Sequence, residues 1–204
     1  KVIMASHTAD LAVNFGRRVR NLVGSSPYKE IFPNVELQAD SKSASRWGTN
    51  YNGEYFAIGV GGALAGRGAD LFIIDDPHSE QDAKQNRSDV FLPAWEWFQS
   101  GPIQRLMPGG AIIVVMTRWS KLDLTGQIMN QMTKNDEADP WEIVEFPAIL
   151  TDNKGIERAL WPEFWELKEL QQKRSVLDVR YWNAQYLQNP TSEEGALIKR
   201  EWWN

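Results

Sequence analysis

Cysteine is absent from the 204 residues, which excludes a disulfide framework and a cysteine-built zinc site. Histidine is nearly absent: His7 and His78 are too few and too far apart for a histidine-built metal centre. No apolar stretch approaches the roughly 20 residues that a membrane span requires, and no secretory signal opens the chain. Positive charge is also in deficit. A net charge of −5 argues against a dedicated nucleic-acid-coating domain, whose footprint is basic. Any DNA contact then comes from local patches or from parts outside these residues; Arg17, Arg18 and Arg20 form one such cluster, which reads as a solvated helix face. No Ser/His/Asp nucleophile arrangement can be assigned. Gly-Lys-Ser/Thr occurs nowhere, so the chain holds no Walker-A phosphate loop.

What is present supports one substantial domain with a small appendage, since a hydrophobic fraction of 42% is enough for a sizeable core. Ten tryptophans are a heavy load, and they read mainly as core anchors because aromatic rings chiefly bury area. The chain opens on a strand already under way and closes on Trp202-Trp203-Asn204, so an internal fragment of a longer protein is expected.

Apolar positions Leu11, Ala12, Phe15, Val19, Leu22 and Val23 recur at helical spacing, which predicts a helix over 9–23 with Thr8 as its N-cap. A short strand over 2–5 precedes it. Further strands are expected near 35–37, around Trp47, at 55–60, at 71–74, at 111–116 and, from alternating polarity, at 141–147. Helices are expected at 89–98, 124–132, 166–174 and 176–187. Strand and helix signals alternate as in a sheet with crossover helices.

The most informative segment is Leu71-Phe72-Ile73-Ile74-Asp75-Asp76-Pro77. A continuous apolar run reads as a strand buried on both faces, hence parallel. It stops on two carboxylates and a proline that cannot extend the ladder. Ligands of open α/β sheets sit beyond the carboxyl ends of strands. Asp75 and Asp76 are therefore placed for a hard cation and a phosphate chain, the Walker-B pattern of a P-loop nucleotide hydrolase. The competing reading is a strand closed by ordinary Asp-Asp-Pro turn chemistry. Upstream, residues 59–68 are glycine-rich but match neither a Walker-A loop nor a dinucleotide fingerprint, because a strand follows them. They read as a tight turn carrying Arg67 at its tip, where a guanidinium can clamp phosphate oxygens. Thr117 follows the second buried strand, and a parallel sheet brings it beside the acidic pair; its alternative role is a cap. Asp123, Thr125 and Gly126 read as capping and turn residues of the 124–132 helix. His78 and Glu80 are further candidates near the pair, although Glu80 and Asp82 also read as a solvated acidic face.

Taken in order, these segments resemble the ATPase region of a tailed-phage terminase large subunit, the motor that packages DNA into a capsid. The resemblance runs through Val2-Ile3-Met4-Ala5-Ser6-His7-Thr8, Gly61-Gly62-Ala63-Leu64-Ala65-Gly66-Arg67-Gly68-Ala69-Asp70, Ile73-Ile74-Asp75-Asp76-Pro77 and Val114-Val115-Met116-Thr117-Arg118-Trp119. It continues through Asp123-Leu124-Thr125-Gly126, Phe146-Pro147-Ala148, Ala159-Leu160-Trp161-Pro162 and Gln185-Tyr186-Leu187-Gln188-Asn189-Pro190. The family implies a P-loop NTPase-like α/β fold of the ASCE type: a mostly parallel sheet flanked by helices, with a small lid-like C-terminal subdomain. It implies an ATPase core over 1–140 lacking its Walker-A segment, a lid over 141–190 and a linker over 191–204 toward a metal-dependent endonuclease domain. By position, Asp75 would hold Mg²⁺, Asp76 would take the place of the water-activating glutamate, Arg67 would be the arginine given to a neighbouring subunit, and Thr117 would couple the γ-phosphate state to movement. Asp76 departs toward a shorter carboxylate, which leaves the general base open, with Glu80 a distant substitute. The implied cofactors are Mg²⁺ and ATP. The implied partners are double-stranded DNA, the portal protein, the small terminase subunit and further copies in a ring, at the procapsid in the host cytoplasm and not at a membrane. Two other readings stay open at this point. One is a Mg²⁺-dependent nuclease or phosphotransferase using Asp75 and Asp76, with Asp70 or Asp123 as extra ligands; the other is a non-catalytic scaffold that binds DNA or a partner.

Overall fold

The computed structural model describes residues 1–84, 87–135 and 137–191. The expected linker, with Trp202 and Trp203, lies outside them apart from Thr191. The chain divides into two compact units, 1–116 and 117–204.

The first unit runs β1 (Val2–Ser6), α1 (Ala9–Val23), α2 (Ser26–Ile31), β2 (Leu37–Lys42), β3 (Arg46–Thr49), β4 (Glu54–Gly59), β5 (Ala69–Asp75), α3 (Glu80–Lys84), α4 (Leu92–Ser100), α5 (Pro102–Arg105) and β6 (Leu106–Val115). One sheet has the order β2-β3-β4-β1-β5-β6. The pairs β4–β1, β1–β5 and β5–β6 are parallel, while β2–β3 and β3–β4 are antiparallel. This is the mixed α/β, mostly parallel architecture expected. Burial explains why the middles of its central strands are apolar: Ile3, Ala5, Phe72 and Ile74 are all buried.

Registers Met4↔Ala57 and Met4↔Ile73 put one set of side chains on a common face. There α1 lays Ala12 and Val23 against Met4, Trp47, Tyr55 and Ala57. Thr8 caps that helix as expected, its side chain accepting the Leu11 N–H. On the opposite face Phe72 meets Trp97 of α4 edge to face, at 6.1 Å between ring centroids. Trp47, Trp97 and Trp182 are buried anchors, but Trp161 and Trp165 are exposed, so the tryptophans do not all serve the core.

The second unit contains α6 (Leu124–Lys134), a hairpin of β7 (Ile149–Thr151) and β8 (Glu157–Ala159), α7 (Leu167–Val176), α8 (Val179–Tyr181) and a π-type turn over Trp182–Tyr186. Ile149, Ala159, Leu170 and Trp182 form its core. The strand expected at 141–147 does not form. Its apolar residues Ile143, Val144 and Phe146 stay exposed, so the alternation never finds a face to bury. The single helix expected over 176–187 is broken at Leu177-Asp178, where Asp178 caps a new start by accepting the Arg180 N–H. No helix among the described residues is long and apolar enough to cross a membrane.

Candidate functional site

Parallel pairing aligns the carboxyl ends of β1, β4 and β5: Ser6 lies opposite both Gly59 and Asp75. Asp75 in turn pairs with Val115 at the end of β6. The acidic pair therefore sits at the carboxyl edge of the sheet, in the position where such folds hold ligands. The N-terminus of α1 opens at the same edge. Gly59 makes room for it, since a Cβ there would lie 3.1 Å from the Ala9 nitrogen.

Asp76 is held from both sides. Its N–H donates to the Val115 carbonyl at 2.9 Å, and its own carbonyl accepts the His7 N–H at 3.1 Å. Between these anchors its φ is +42°, a left-handed conformation that aspartate tolerates better than most residues. Backbone strain of this kind persists only where the surroundings enforce it, and it concentrates at functional sites. Asp75 is half-buried, and burial first, then the charge of Asp76, raises its pKa, with His7 pulling the other way. Two crowded carboxylates of this kind are hard oxygen donors whose repulsion a divalent cation relieves. The residues fit Mg²⁺ in the manner of sites that take one or two carboxylates and complete the shell with water and phosphate.

The other candidates fall elsewhere. Arg67 lies just ahead of β5, at the amino edge of the sheet; the seven residues of β5 span about 20–25 Å, so Arg67 and Asp75 stand at opposite edges. Arg67 does occupy a turn as expected, its N–H donating to the Leu64 carbonyl at 3.2 Å with Gly66 at φ +72°. Thr117 opens the second unit, two residues along the chain from Val115. His78 is buried, with its ring edge-on to Phe91 at 5.0 Å. Glu80 is exposed and pairs with Lys84 at 2.7 Å.

Neither extra ligand of the nuclease reading is available to the pair. Asp70 starts β5, so it too belongs to the amino edge, where it pairs with the Lys1 amino group. Asp123 is buried as the N-cap of α6: it accepts N–H bonds from Trp119, Ser120 and Gly126 and holds Arg118 at 3.1 Å. No group of three or more metal-binding side chains occurs among the described residues.

One arrangement was not legible from sequence. Glu54 and Phe56 alternate along β4 and so share a face, and the antiparallel register brings Arg46 opposite Phe56. Arg67 stacks over the Phe56 ring at 3.6 Å and approaches Glu54 at 3.6 Å, while Arg46 meets the same carboxylate oxygen at 2.9 Å. The signal lay in strand alternation plus the β3–β4 pairing, and the second of these is a tertiary fact.

No family model matches the chain, and no curated protein matches it. Among solved structures it is similar to an arginine-to-alanine mutant of the large terminase ATPase domain of Thermus phage P74-26, at 17% identity and a TM-score of 0.50. The match covers 93% of this chain and 76% of that one. At this identity the likeness is one of fold: the chain has the fold of a large-terminase ATPase domain.

Proposed function

We propose that this chain is the ATPase engine of a viral DNA-packaging motor, coupling Mg²⁺-ATP hydrolysis to movement of double-stranded DNA into a capsid. The observation that carries the reading is the acidic pair at the carboxyl edge of a terminase-like sheet, with Asp76 strained between its two neighbouring strands. Asp75 holds the Mg²⁺, which when bound neutralises phosphate oxygens. Asp76 orients and deprotonates the attacking water, and Thr117 responds to the γ-phosphate state. Arg67 cannot reach a nucleotide held at Asp75 of its own chain, so it serves the nucleotide of an adjacent copy. That requires a ring, which in turn meets portal protein and small terminase subunit at the procapsid in the host cytoplasm. The reading needs a phosphate loop, which these 204 residues do not contain.

The nuclease alternative is weakened because both of its additional carboxylates are committed elsewhere. A scaffold alternative gives no reason to keep two repelling carboxylates in a strained turn.

Steady-state ATP hydrolysis tests the proposal. The 204 residues alone should neither turn over ATP quickly nor cut DNA. The full chain carrying a phosphate loop should hydrolyse ATP and lose at least about a hundredfold in kcat on Asp75→Ala. Rapid hydrolysis by the 204 residues, lost on the same substitution, would show that no upstream loop is needed and sink this account.

A further inference from the structure

The amino edge of the sheet holds a second organised charge cluster, remote from the acidic pair. A cavity of about 220 Å³ opens there, lined by Arg46, Glu54, Phe56, Gly66, Arg67 and Gly68 among others. Two guanidinium groups and, at 3.9 Å, the Lys1 ammonium share the single Glu54 carboxylate, so the cluster keeps an excess positive charge in a chain whose net charge is −5.

The two arginines are held differently. Arg46 is 55% exposed on its side chain and takes the close position on the carboxylate. Arg67 is 29% exposed, approaches the same oxygen only at 3.6 Å, and sets its guanidinium carbon 3.6 Å from the centre of the Phe56 ring. An unrestrained arginine loses side-chain rotamer entropy on engaging a ligand. Here three restraints act on one side chain. The Gly66 turn sets its root, the Phe56 ring carries its guanidinium, and Glu54 draws it in one direction. The Glu54 contact is long, so a phosphate can displace it without breaking a tight bidentate pair.

We propose that Glu54 is a positioning residue for Arg67, holding its guanidinium pre-oriented on the Phe56 ring for delivery to a phosphate of another copy's nucleotide. The inference rests on the reading of Arg67 given under the proposed function. It adds that the strand residues beneath Arg67, rather than the turn alone, set how well it works. Pre-orientation of a transition-state donor is expected in kcat and not in nucleotide affinity.

The test uses the full chain in its assembled form, with kcat and KM for ATP measured for Glu54→Gln, Arg67→Ala and the double variant. Nuclear magnetic resonance relaxation follows the mobility of the Arg67 guanidinium in the wild type and Glu54→Gln. Arg67→Ala is expected to lower kcat by at least about a hundredfold. Glu54→Gln should lower it about tenfold with KM unchanged. The double variant should be no slower than Arg67→Ala alone, and the Arg67 guanidinium should be more mobile in Glu54→Gln. Glutamine is isosteric and Glu54 is partly exposed, so folding should survive; Phe56→Leu serves as a second variant with the same expected kcat loss. A wild-type kcat in both Glu54→Gln and Phe56→Leu, beside a crippled Arg67→Ala, overturns this inference and leaves the role of Arg67 standing. A wild-type kcat in Arg67→Ala overturns both.

Discussion

Asp75 shows at the scale of one residue how a site and a fold pull against each other. Burial, and next the neighbouring Asp76, raise its pKa above the ordinary 3.8. A carboxyl group whose folded value is raised binds more protons folded than unfolded in the interval between the two values. Stability therefore falls as pH rises through that interval, and the full cost is present at neutral pH. Asp75→Asn removes the charge without removing volume. It should raise Tm by about 1–2 °C at about pH 7, a modest gain because the group is partly solvated, and by nothing at about pH 3, where both states are protonated. The check is a pair of thermal melts, and a variant less stable than wild type at neutral pH would mean that the charge is already compensated. The place of Asp75 and Asp76 at the carboxyl edge was readable in the sequence because the buried run Leu71–Ile74 is apolar, so the charges that follow mark its end. The support beneath Arg67 was not readable, because Glu54 and Arg46 meet only through the β3–β4 register.

Elements follow the same division. Helix α1 matched its expected span because a long amphipathic stripe with a threonine cap leaves little choice of boundary. The hairpin β7–β8 went unseen because each strand has three residues, too few for alternation to register. Polarity alternation at 141–147 misled for the opposite reason: the pattern is present and nothing buries it. How α1 seats on the sheet gives a sharper test. Gly16 on α1 sits against the Tyr55 ring, and a Cβ there would lie 2.3 Å from Tyr55 Cε1 and 2.8 Å from the Ala44 carbonyl. Tyr55 cannot easily yield. Its hydroxyl donates to the Ala12 carbonyl at 2.9 Å and its ring stacks on Trp47, whose indole N–H donates to the Gly16 carbonyl at 3.1 Å. In an open helix Gly→Ala gains about 1 kcal/mol; overpacking a locked contact costs about 1–3 kcal/mol. Gly16→Ala should therefore destabilise by about 1–2 kcal/mol in urea denaturation, and a stabilised variant would show that α1 rides free of Tyr55.

For the molecule as a whole, the sheet of the first unit is covered unevenly. Helix α1 protects one face over β4 and β1, but Ile113 and Val115 on β6 remain 47% and 54% exposed. They share that face with Ile73 and Asp75 of β5. Among the described residues β6 pairs only on its β5 side, and the run Ala111–Val115 carries neither charge nor proline on its outer edge. An apolar strand with a free edge is a template for association. An overall charge of −5 disfavours association through general repulsion, but that term is long-ranged and screened by salt, whereas contact between apolar faces is not. The isolated 204 residues should therefore self-associate with rising concentration, more readily at high salt. Ile113→Lys places a charge at the centre of the bare face and should return the chain to a monomer with its circular dichroism unchanged. Sedimentation velocity across a concentration series decides the matter. A wild-type chain that stays monomeric at all salt concentrations would show that this face is already shielded in solution.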